Sequence, residues 1–132
     1  MNSELTKQIS VYGLLTVLSL IIIFHLLVIT GIIPYTIVWG GRLKTDTEMY
    51  VFETTSILLN LVMLTIVSLY AGLINLRISK TFLRVSLWLM FALFLLNTLG
   101  NLNAINELEK LLFTPLTLLL SLFSFRLALS KG

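Results

Sequence analysis

Four long apolar stretches, with the charged residues gathered at their ends, constrain this chain more than any other feature. They run over about 9–33, 51–76, 82–102 and 108–127. Each has roughly the 20 apolar residues that a helix needs to cross the hydrocarbon core of a bilayer. In hydrocarbon the backbone must satisfy its own polar groups, so helices are the expected form. Four crossings put both termini and the short 77–81 connection on one side. That side carries Lys7, Arg77, Lys80, Arg84, Arg126 and Lys131 against Glu4. The other carries Arg42, Lys44 and Lys110 with Asp46, Glu48, Glu53, Glu107 and Glu109. Basic residues divide six to three, and their excess is expected to face the cytoplasm.

Composition agrees. The 132 residues are 58% hydrophobic and 11% charged, with a mean hydropathy of +1.02. Soluble domains carry about 25% charged residues. Spanning uses nearly the whole chain, which predicts a single membrane domain over 1–132 and leaves no room for a soluble catalytic domain. The first run is longer than a signal peptide's apolar core and Gly31-Ile32-Ile33-Pro34-Tyr35 is no small-residue cleavage site, so it reads as a retained helix. There are no cysteines, which excludes thiol redox chemistry. With one histidine and no thiols, neither a structural zinc site nor a haem site is expected, and no cofactor is assigned. No basic face with an aromatic platform points to nucleic acid.

Between the first two runs lies the one long connection, 35–50. Its β-branched and aromatic start, Gly40-Gly41 pair and second short run predict a small hairpin or folded cap on the helix ends, outside the cytoplasm. Tyr35, Trp39 and Tyr50 also suit an interfacial aromatic belt. Thr45 or Asp46 is the expected cap of the second helix and Asn106 that of the fourth, with acids in the first turn. Helices two and three, so closely linked, are expected to be antiparallel neighbours. Pro115 falls inside the fourth helix, where it removes one backbone hydrogen bond.

Polar side chains inside a span are costly and usually face the bundle interior or a water-filled cavity. At a rise of about 1.5 Å per residue, His25, Asn60 and Thr114 lie roughly 5–6 Å outward of their span centres. Asn97 lies about 8 Å outward, and Asn101 and Glu53 about 14–15 Å. The inner halves hold only hydroxyls such as Thr16, Ser19, Ser68, Ser86, Ser121 and Ser124, with Asn75 at the interface. Glu53, Ser56 and Asn60 share one helical stripe, and Asn97 and Asn101 another. These spacings predict an outward pocket lined by His25, Glu53, Asn60, Asn97, Asn101 and Thr114, with Trp39 and Arg42 above its mouth and Arg42 paired with Glu53. The competing account is that these groups only tie helices together.

The stretches Ile33-Pro34-Tyr35-Thr36-Ile37-Val38-Trp39-Gly40-Gly41-Arg42-Leu43-Lys44 and Asn97-Thr98-Leu99-Gly100-Asn101-Leu102 resemble those of short bacterial inner-membrane proteins. That resemblance covers most of the chain and implies four helices in the inner membrane, but no activity. Four-helix sterol isomerases are similar in architecture alone, and none of their motifs stands here. The glutamate that small multidrug-resistance transporters hold in their first span has no counterpart, because that span offers only His25. The Gly-rich and Phe motifs of fluoride channels are missing too. A Glu53–His25 acid–base pair would suit an enzyme, yet no motif names a reaction, and the reading leans away from catalysis. The expectation is a protein that binds a lipid or amphipathic small molecule in a polar pocket open to the outer leaflet. The alternatives are an oligomeric channel or transporter, which includes a homodimer, and an accessory subunit of a larger membrane partner.

Overall fold

A computed structural model describes residues 3–130, so Lys131 of the charge tally and the two ends of the 1–132 domain lie outside the described residues. The chain is all-helical. Helices α1 (Ser3–Ile29), α2 (Asp46–Tyr70), α3 (Lys80–Leu102) and α4 (Glu107–Leu129) account for most of it. All four are long and apolar enough to cross a membrane. Only 17% to 28% of their most apolar windows is buried inside the molecule, so most of that apolar surface faces outward.

Local chemistry explains where the helices begin. The Thr45 side chain accepts from the Glu48 N–H, and Ser79 does the same for Phe82. Asn106 accepts from the N–H groups of both Leu108 and Glu109. Each cap satisfies backbone donors that a helix start leaves without partners. Among the described residues helix α1 extends from Ser3, ahead of the apolar run, and Arg126 of α4 holds this turn. The Arg126 guanidinium donates to the Thr6 hydroxyl at 2.9 Å and to the Ser3 carbonyl at 2.7 Å. Helix α1 also stops at Ile29, and α2 at Tyr70, each a few residues short of its apolar run.

Leu14, Leu18, Met63, Val67, Leu87, Met90, Phe94, Leu120 and Leu127 form the main core. Helix α3 packs chiefly on α4, and α1 on both α2 and α4. Helices α2 and α3 touch each other little. They are neighbours, as the short connection predicts, but each packs more heavily on another helix. At Gly13 a Cβ would stand 2.3 Å from the Phe123 ring, so any side chain there would have to push that ring aside where α1 meets α4.

The connection from α1 to α2 is no hairpin. It folds into two short 3-10 turns, Tyr35–Ile37 and Trp39–Gly41. Val38 and Leu43 are buried with Val28 and Met49 in a second apolar cluster, against Phe24 and Phe113. Gly41 turns at φ +73°, a left-handed conformation that costs glycine little. Trp39 holds φ +55°, which is unusual for a bulky residue.

Candidate functional site

A cavity of about 460 Å³ lies at the end of the bundle where this cap sits. All four helices contribute to it, through residues such as Phe24, Asn60, Asn97 and Phe113. The cap contributes Val38, Trp39 and Arg42. Leu20, Ile21, Met63, Leu93 and Phe94 make one part of the lining apolar. His25, Ser56, Asn60, Asn97, Asn101, Glu109 and Thr117 make the rest polar. Among the lining residues, Leu59, Leu96, Asn97 and Gly100 are exposed on the outside of α2 and α3. Those two helices touch each other little, and both give exposed residues to the lining.

Glu53 is wholly buried, with 0% exposure, and stands behind this lining. Its carboxylate takes two donors. His25 Nδ1–H donates to one oxygen, and Trp39 Nε1–H donates to the other at 3.0 Å. The Trp39 indole also packs on Phe52, with ring centroids 4.9 Å apart. A buried carboxylate needs such donors to offset its lost hydration. The expected Arg42–Glu53 pair does not form. Glu53 faces α1, and both of its oxygens are already engaged, while Arg42 is exposed at the cavity rim.

His25, Trp39, Arg42, Asn60, Asn97 and Asn101 line one cavity, although they come from three helices and the cap. Thr114 does not line it, and its buried hydroxyl has no hydrogen-bond partner among the described residues. Thr117, one turn further along α4, occupies the lining instead. It accepts from Asn101 Nδ2 at 3.2 Å, and its hydroxyl lies 2.9 Å from that of Thr98.

Glu109 stands in the first turn of α4, as the sequence predicts, but sequence reasoning missed its place in the cavity. Read as a first-turn acid at a helix start, it is buried and lines the cavity. A signal existed in the spacing, since Glu109, Phe113, Leu116 and Thr117 stand at i, i+4, i+7 and i+8 and form one helical face.

No family model, curated protein or solved structure matches this chain. What the site can do is therefore argued from its own geometry. It offers a part-apolar, part-polar hollow, and a carboxylate–imidazole–indole cluster that fastens the cap over one end.

Proposed function

We propose that the chain is an antiparallel four-helix bundle of the inner membrane, both termini cytoplasmic, that takes a lipid or amphipathic small molecule from the outer leaflet. The observation that carries this reading is a cavity of about 460 Å³ whose lining includes exposed residues of both α2 and α3, helices that touch each other little. Small-molecule sites span about 300–1,000 Å³ and combine apolar walls with a few placed polar groups. An acyl chain entering between α2 and α3 would meet Leu59, Leu93, Leu96 and Phe94, while its polar end would meet Arg42, Asn97, Asn101 and Trp39. The excess of basic residues on the proposed cytoplasmic side supports the orientation.

Gly100 supplies the test. It lines the cavity, and a Cβ built there meets nothing within 4 Å, so a larger side chain fits without disturbing the helix. In Gly100→Trp the new ring fills part of the cavity. Protein released gently from membranes should carry one co-purifying amphipathic molecule by native mass spectrometry, and Gly100→Trp should have lost it. Equal adducts in both proteins, or none in the unmodified one, would overturn the reading.

A further inference from the structure

The α2–α3 link, at the end of the bundle opposite the cap, forms a second surface with the chemistry of a lipid contact. We infer that it binds the headgroups of anionic phospholipids in the leaflet it borders, which rests on the helices spanning a bilayer but not on the cavity holding a ligand. Apolar residues continue to Leu76, yet α2 stops at Tyr70. Gly72 takes φ +79°, and the N–H groups of Gly72 and Leu73 turn back to the Leu69 and Ser68 carbonyls at 3.2 and 2.9 Å. Such a closure ends a helix and gives its last carbonyls their partners.

From Asn75 to Ile78 the backbone is neither helix nor strand, and its N–H groups make no backbone hydrogen bond among the described residues. Hydrocarbon does not tolerate backbone donors left without partners. The link therefore belongs in the polar headgroup layer, with exposed Leu73 and Leu76 available to the apolar boundary beneath it.

Three cations stand on this link and the start of α3, namely Arg77, Lys80 and Arg84, and all are exposed. No Asp or Glu occurs in the sequence between Glu53 and Glu107. None of the three cations makes an ion pair among the described residues. Other basic side chains are committed elsewhere. Arg126 is spent on Ser3 and Thr6, Lys110 stands 3.4 Å from Glu107, and Lys7 lies 5.6 Å from the centroid of the Tyr70 ring.

A positive strip held at headgroup level attracts anionic lipid, each Lys or Arg near the surface giving a ~5-fold preference. The guanidinium forks of Arg77 and Arg84 suit phosphodiester oxygens, to which they donate two parallel bonds. A zwitterionic headgroup offers the same phosphate with its charge cancelled, so the link selects net charge. The rival account is that these cations serve only to orient the chain, in which case they favour no lipid over another.

Asn75→Cys supplies the single thiol of the chain, and a fluorophore on it reports the lipids around the link. The labelled protein is placed in nanodiscs of equal phosphatidylglycerol and phosphatidylcholine, alike in both leaflets so that orientation does not matter. A nitroxide quencher is carried on the glycerol lipid in one set and on the choline lipid in the other. At low salt, quenching is expected to favour the glycerol lipid at least ~5-fold. High salt, which screens exposed charges, should bring the ratio towards one. So should the triple variant Arg77→Gln, Lys80→Gln, Arg84→Gln at low salt, its helical content checked by circular dichroism. Should that variant fail to fold, the salt dependence of the parent decides. A fluorophore on Thr36→Cys, at the cap, should show no such preference. A ratio near one at residue 75 in low salt, an equal preference at residue 36, or a preference that survives high salt overturns the inference. Protein that does not enter the discs removes the spanning reading as well.

Discussion

Glu53 shows how one residue decides the form of a site. Its depth in α2 was readable from the sequence, as was its place on one stripe with Ser56 and Asn60. The partner was not. A charge 11 residues along the chain, Arg42, was the obvious candidate, yet the carboxylate turns to His25 and Trp39. Periodicity gives the face of a helix but not the neighbour that meets it, and Trp39 reaches Glu53 only by holding the positive φ that propensity disfavours. The Trp39–Glu53 bond and the contact with Phe52 offset that backbone cost. Replacing Glu53 with Leu removes the acceptor that the His25 and Trp39 side chains share. Unfolding in mixed micelles should then become easier by about 3 kcal/mol, and Trp39 emission should shift to the red as the cap loosens. A loss below ~1 kcal/mol would show that the cluster is well solvated.

At the scale of elements, the helices were legible and the cap was only half so. A run of about 20 apolar residues has one economical form in hydrocarbon, and capping residues such as Thr45 and Asn106 mark where it starts. The sequence signals for the cap were two short runs around Gly40-Gly41, equally consistent with strands or tight turns. Tertiary contacts chose the turns. Val38 and Leu43 sink into the cluster with Phe24 and Phe113, and a Cβ on Gly41 would stand 3.5 Å from Ile105. Two predictions belong here. Asn106→Ala removes the acceptor for two N–H groups of α4 and should cost about 1 kcal/mol in the same unfolding assay. Gly13→Val forces the Phe123 ring aside where α1 meets α4 and should cost about 1–3 kcal/mol. A companion Phe123→Ala substitution should recover part of that loss, because it vacates the space the new side chain needs.

For the whole molecule, the position of the cavity follows from uneven packing. Helix α3 commits itself to α4, and α1 to α2 and α4, so the seam between α2 and α3 stays slack. The sequence carried the polar residues of that seam but not the slackness, which depends on shapes summed over all four helices. It also hid Glu109 and Thr117, whose helix reads first as a cap followed by an apolar run.

The proposed orientation puts the cap outside the cell and the α2–α3 link inside, and this is open to a direct test because the chain has no cysteines. Thr36→Cys places a thiol at an exposed position of the cap, and Ile78→Cys places one at an exposed position of the α2–α3 link. A membrane-impermeant maleimide applied to intact spheroplasts should label residue 36 and spare residue 78. Lysis should then make both reactive. The reverse pattern would place the basic ends outside, against the distribution of Lys and Arg, and would turn the cap end towards the inner leaflet. Ligand binding and topology are thus separable: Gly100→Trp tests the cavity, and the labelling pattern tests the leaflet from which the ligand comes.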